Sequence, residues 1–136
     1  MKFDTKLAVV VRDDLPTWQK LNMTAFLVSG IAAKKPEIIG EDYEDGSGNL
    51  YLPMFRQPTM VFGASADQIR RAYDRAMQNG VQISLFTEDL FSTGHDEANR
   101  AAVKAVPREA LNVVGMAFHA PKKVADKILD GLSLHK

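Results

Sequence analysis

The apolar positions of this chain alternate between short continuous runs and longer stretches at helical spacing. Residues 6–12, KLAVVVR, form a β-branched run typical of a strand buried on both faces. DDLPT follows as a turn, with Thr17 as the expected N-cap. A long helix is predicted from Trp18 to about Lys34, apolar nearly all round. Leu21, Ala25, Val28 and Ala32 line one stripe; Met23, Phe26, Leu27 and Ile31 line another. A helix apolar on two faces is expected to be buried on two faces. One would cover the sheet, and the other would meet a second subunit or the irregular segment that follows.

Residues 36–58 are that segment. DGSGN is a strong turn signal, and EDY and LYL flank it as a small predicted hairpin. TMVFGA, 59–64, reads as the second core strand. SADQ, 65–68, matches a capping box, with Ser65 as N-cap and Gln68 three residues on. Ile69, Ala72, Tyr73, Ala76 and Met77 continue at helical spacing until Gly80. VQISLF, 81–86, is the third strand. Within the ambiguous stretch 87–111, Ala98, Ala101, Ala102 and Ala105 suggest a helix that Pro107 stops. NVVGMAFHA, 112–120, is the fourth strand. Pro121 suits the first position of a closing helix with Val124, Ile128 and Leu129 inside. Strands alternating with helices predict an α/β protein, a three-layer α/β/α sandwich with a largely parallel sheet.

At 136 residues the chain fits one domain with a real core. It has no cysteine, which excludes disulfides, thiolate metal sites and thiol nucleophiles and fits a reducing cytoplasm. The start, MKFDTKLAVVV, has too short an apolar run for a signal peptide, and residues 23–33 fall far short of a membrane span. Zero net charge hides an uneven spread. Residues 1–35 carry six Lys/Arg and three Asp/Glu, residues 36–99 four and eleven, and residues 100–136 seven and three. Nucleic-acid binders usually show a basic excess, so this balance disfavours such a partner unless the two basic ends meet.

The familiar nucleotide, metalloprotease and serine-hydrolase motifs are absent. The first strand–helix turn lacks glycine, which argues against a dinucleotide there. His95, His119 and His135 have no ligand-like spacing, so neither metal nor organic cofactor is expected. One residue stands out. Lys20 lies in the first turn of the long helix, where the free N–H groups already carry partial positive charge. Such a cation calls for an acidic partner. Asp13, Asp14, Glu88 and Asp89 follow strands that would end on one rim, where α/β ligand sites lie. Lysine there could stabilise an oxyanion while a carboxylate holds water. The plainer alternatives are an exposed lysine, turn-forming aspartates, and Ser92, Thr93 and His95 as caps of the next helix, since STGHDE reads as a helix start. His95 could instead act as an acid or base near neutral pH.

The opening LAVVVRDDL resembles type 2 peptidyl-tRNA hydrolases, whose first strand ends in V-R-x-D-L before a helix carrying G-K-G-K. Val11, Arg12, Asp14 and Leu15 match the first part. MVFGASADQIRRAYDRAMQNGVQISLF resembles that family's middle strand–helix–strand, and VVGMAFHAPKKVADKI its last strand and helix. The opening VVVRDDLPTWQKLN is closer still to an uncharacterised bacterial family of domains of unknown function. These resemblances imply a four-stranded mixed sheet, order 2-1-4-3, in one hydrolase-like domain over residues 1–136. By the hydrolase pattern the helix-start lysine falls on Lys20 if one residue is deleted. The aspartate after the third strand falls on Glu88, beside Asp89, and the downstream threonine on Ser92 or Thr93. The glycines and second lysine of G-K-G-K are missing; TWQK stands there.

The implied activity is hydrolysis of an ester or amide of a small acyl or aminoacyl compound, without cofactor. Lys20, Glu88, Asp89 and Thr93 would be catalytic, and Arg12, Asp14, Asn22, Ser92 and His95 would bind substrate. The alternative is a non-catalytic module binding a small ligand or a protein. A homodimer through the first helix is expected, because that helix has more apolar surface than one sheet covers.

Overall fold

β1 (Thr5–Arg12) runs through the middle of the molecule, and its Leu7–Val11 are essentially inaccessible to solvent. The structure, a computed structural model, describes residues 2–136. After β1 come α1 (Thr17–Lys34), β2 (Tyr43–Glu44), β3 (Leu50–Tyr51), β4 (Thr59–Ala64), α2 (Ala66–Gln78), β5 (Ser84–Thr87), α3 (Asp96–Lys104), β6 (Val113–Pro121), α4 (Lys122–Ile128) and β7 (Ser133–Leu134). The main sheet has the order β5-β6-β1-β4-β7. The four expected strands are therefore neighbours in the expected sequence, but the sheet has five strands, not four. β7 adds an edge through Phe62–Leu134 and Gly63–Ser133. Its two residues carry no period that a sequence pattern could show.

The sheet is also less parallel than strand–helix alternation suggests. β1 and β4 form the parallel pair, while β6 runs antiparallel to both β1 and β5. The stretch after β5 does not return as a crossover, so β6 enters from the opposite rim. α1 packs on one face, with Met23, Leu27 and Ile31 over Leu7, Val9 and Val11. α2 and α4 cover the other face, over Ala8, Val10 and Phe118. Ser65 and Gln68 form the predicted capping box at α2. At α1 the expected Thr17 cap is wrong. Pro16 holds the N-cap position with no side-chain cap, and Thr17 is already helical.

Two glycines let α1 sit low on the sheet. A Cβ at Gly115 would come 2.4 Å from Met23 Sδ, and one at Gly30 would come 2.8 Å from Ser84 Oγ. The outer face of α1 is not covered by the segment after it. Trp18, Leu21 and Phe26 are 61%, 68% and 55% exposed. Strands β2 and β3 instead form a separate hairpin, whose two legs are paired again at its base by the Ile39–Phe55 bridge. Asp45 organises its turn. It accepts from the backbone N–H of Ser47 and Asn49, the Asn49 amide and the Tyr51 hydroxyl. The Tyr51 hydroxyl, then the Asn49 contacts, hold the Asp45 carboxyl well below the usual carboxylate range. Among the described residues no helix is long and apolar enough to cross a membrane.

If Gly115 sets the height of α1, Gly115→Ala should cost about 1–3 kcal/mol in urea unfolding, because buried Met23 cannot move aside. In a Met23→Ala background the same change should cost under about 0.5 kcal/mol; equal penalties would dissociate the glycine from Met23. A second expectation concerns His119, half-buried on β6 with Nε2 2.9 Å from Thr5 Oγ1. Burial first, then the charge of Lys35, lowers its pKa from the ordinary value. A lowered histidine pKa means that the unfolded chain binds the extra proton, so stability falls as pH drops from about 6.5 through the folded value. His119→Gln should flatten that part of a stability–pH curve, and an unchanged slope would assign it to other groups.

Candidate functional site

The end of β1 and the start of α1 gather four charged groups. Arg12 grips Asp14 with two bonds, Nε to Oδ1 at 3.0 Å and Nη2 to Oδ2 at 2.5 Å. That pairing, with smaller help from the Lys20 charge, lowers the Asp14 pKa, and it raises that of the guanidinium. Neither Asp13 nor Asp14 caps α1, whose first turn contains no acid at all. Lys20 Nζ donates to the Asp13 carbonyl at 3.3 Å and lies 3.0 Å from His135 Nε2. His135 Nδ1 is 2.9 Å from the Lys136 carbonyl. A carbonyl only accepts, so Nδ1 carries the proton and Nε2 offers its lone pair to the lysine ammonium. Gly63 supports the pair from below, since a Cβ there would lie 3.4 Å from the His135 ring and 3.5 Å from Asp13 Cβ. The cation at the helix start is thus answered by a carbonyl, an imidazole and the nearby Asp14 charge.

Glu88 and Asp89 are not part of this cluster. They open a short 3-10 helix, Glu88–Ser92, beyond β5, and Ser92 lies exposed at its end. β6 lies between β5 and β1. Two strand spacings, about 10 Å, therefore separate the ends of β1 and β5. Asn112, just before β6, occupies the gap. Its amide donates to Glu88 Oε2 at 2.5 Å, and its carbonyl accepts from the Glu88 N–H at 3.1 Å. The Glu88 charge still helps to raise the Arg12 pKa across the rim.

The remaining nominated residues meet on the other flank of α1. Lys20 and Asn22 are two residues apart, about 160° around a helix axis. Trp18, Asn22 and Phe26, at i, i+4 and i+8, turn toward the segment after β5. There they border two adjoining hollows of about 510 and 360 Å³ that share Phe26, Phe86, Leu90, Asp96 and Asn99. Aromatic rings run along the cleft in sequence. Trp18 meets Phe91 edge-on at 6.2 Å, Phe91 meets Phe86 at 4.9 Å, and Phe86 meets Phe26 at 6.1 Å. Thr93 and His95 line the smaller hollow. The Thr93 hydroxyl donates to the Leu90 carbonyl at 3.0 Å and touches the Asn99 side chain. His95 is the N-cap of α3, its Nδ1 accepting the Ala98 N–H at 3.2 Å. Two acids, Asp96 and Glu97, fill the first turn of that helix.

The residues expected from the sequence therefore fall on the two flanks of α1, with Glu88, Asp89 and Ser92 apart from both in the 3-10 helix after β5. Sequence reasoning misses His135, Phe86, Phe91 and Asn99. His135 lies in a tail with no periodicity, and Phe91 sits among turn residues with no pattern to mark it.

Comparison with known proteins agrees with this architecture. No curated protein matches the chain. A solved protein of unknown function, Atu0240 from Agrobacterium tumefaciens strain C58, is 47% identical, with a TM-score of 0.96 over 99% of this chain and 100% of that one. A family model described as "Protein of unknown function (DUF2000)" matches residues 5–136, so the chain belongs to the DUF2000 family.

Proposed function

We propose that this protein binds a small, flat, largely apolar molecule in the cleft between α1 and α3. One observation carries the reading: two hollows share Phe26 and Phe86, whose rings continue through Phe91 to Trp18 in edge-on and tilted contacts, while Asn22, Thr93, His95 and Asn99 add polar groups to the lining. Concave, mostly apolar sites with a few convergent polar groups are the usual form of small-molecule sites. The protein's single tryptophan, Trp18, sits at this cleft and reports on it. Anilinonaphthalene sulfonate, a planar aromatic anion, should change Trp18 emission saturably. Phe91→Ala should weaken binding about tenfold, the value of one good aromatic contact. Equal affinity in the two proteins would overturn the reading.

A second reading, hydrolysis of an ester or amide of a small acyl or aminoacyl compound, rests on the Lys20–His135 contact. On this reading the His135 imidazole takes a proton from water once Lys20 turns to the substrate, and the Lys20 ammonium stabilises the oxyanion. Glu88 and Asp89 border the same rim. Purified protein should then deacylate N-acetyl-aminoacyl-tRNA, with Lys20→Ala and His135→Ala each slowing it by about 100-fold or more. No cleavage with enzyme in excess of substrate would remove peptidyl-tRNA hydrolysis from consideration.

A further inference from the structure

At the end of α1 away from Lys20, helix and sheet enclose a hollow of about 290 Å³. Gly30, Ile31, Lys34 and Lys35 line it from the last turns of α1, at spacings that put them on one helix face. Gln82, Ile83 and Ser84 line it where the chain enters β5, and His119 of β6 completes the wall. Strand register explains the meeting. Ser84 pairs with Ala117, so Gln82, two residues earlier, comes level with His119. This hollow is distinct from the aromatic cleft, with which it shares only Ser84.

The lining is basic. It holds two lysines and an imidazole and no acid. A helix C-terminus carries about half a negative charge, which one cation balances; the second is left over. Among the described residues neither Lys34 nor Lys35 forms an ion pair, and Lys35 is half-buried. A half-buried ammonium without a counter-charge favours an anion beside it. His119 is held in place from its other side. Its Nε2 lies 2.9 Å from Thr5 Oγ1, and the amide of buried Gln57 donates to the Thr5 carbonyl at 3.2 Å and to Oγ1 at 3.3 Å. The Thr5 hydroxyl can give its hydrogen to Nε2, which leaves the ring proton on Nδ1 and free to donate.

Ile31 and Ile83 make the remaining wall apolar. A phosphate presents oxygens on every side and would set some of them against these side chains. A carboxylate keeps its oxygens at one end and its carbon chain at the other. We propose that this hollow binds the carboxylate of a short aliphatic acid, with Lys34 and Lys35 as its counter-charges, His119 as a hydrogen-bond donor, and Ile31 and Ile83 against the chain.

Hexanoate, its uncharged counterpart hexanamide and inorganic phosphate test this in an NMR titration that includes the His119 ring signals. Hexanoate should bind at about 1–10 mM, the range open to so small a ligand, and at least about tenfold tighter than hexanamide. The charged groups around His119 are Lys34 and Lys35 on α1, Glu37 after it, and Asp4 and Arg56 in the hollow on the ring's other side. Burial and then Lys35 hold the His119 pKa down. A carboxylate bound beside Lys35 should therefore raise it, and hexanamide should leave it in place. Lys34→Gln with Lys35→Gln should abolish the preference for hexanoate. Both side chains lie outside the core, a cooperative urea transition checks that the variant folds, and the His119 shift reads the same contact with no substitution at all. Equal affinity for hexanoate and hexanamide, an unmoved His119 pKa, or a preference that survives the double substitution would each overturn the proposal. So would phosphate binding tighter than hexanoate, or no hexanoate binding below about 50 mM.

Discussion

The close seat of α1 on the sheet governs most of what this molecule can do. Glycine at 115 and at 30 removes the side chains that would hold the helix away, and Met23 fills the space over Gly115. A helix packed this closely has one buried stripe, Met23, Leu27 and Ile31. Its flanks are then fixed. One flank faces the β4–β7 side of the rim and delivers Lys20; the other faces the segment after β5 and delivers Trp18, Asn22 and Phe26. A side chain at position 115 would lift the helix and change both flanks together.

That geometry gives α1 the role of a partition. On one side a lysine, an imidazole and an Arg–Asp pair form a polar, charged rim. On the other, aromatic rings in edge-on and tilted contact form a largely apolar cleft with a few polar groups in its lining. The two environments favour different chemistry. The rim suits charge development near a hydrogen-bonded imidazole, whereas the cleft suits burial of a planar apolar molecule. The β6 strand enforces the separation on the sheet itself, because it keeps the ends of β1 and β5 two spacings apart and lets Asn112 occupy the interval.

Much of the fold was legible because its elements carry strong local patterns. KLAVVVR can only be a doubly buried strand, and SADQ before a helical stripe marks α2 almost to the residue. The misses have physical causes. β7 is too short for periodicity and forms because β4 offers it an edge. The sheet is less parallel than expected because alternation of strand and helix does not reveal the direction in which a strand enters. Thr17 has the chemistry of a cap, but Pro16 takes the N-cap position and Thr17 is already helical. The candidate site was less legible. In the sequence, residues such as Glu88 and Asn22 stand out one at a time, and only the three-dimensional order of strands shows which share a surface. His135 had no signal in its own neighbourhood, because its role comes from a strand pairing more than seventy residues away.

The placement of β6 between β1 and β5 also orders events during synthesis. β1, α1 and β4 are complete by residue 64, and the parallel β1–β4 pair can form before β6 has been made. The other edge of β1 then waits for residues 113–121. Throughout that interval LAVVV presents unpaired backbone groups beside apolar side chains, the features by which nascent strands join wrong partners. Closure depends on contacts far apart in sequence, which slows it. The same strand that anchors the finished core is therefore the segment most in need of protection while the chain is being made.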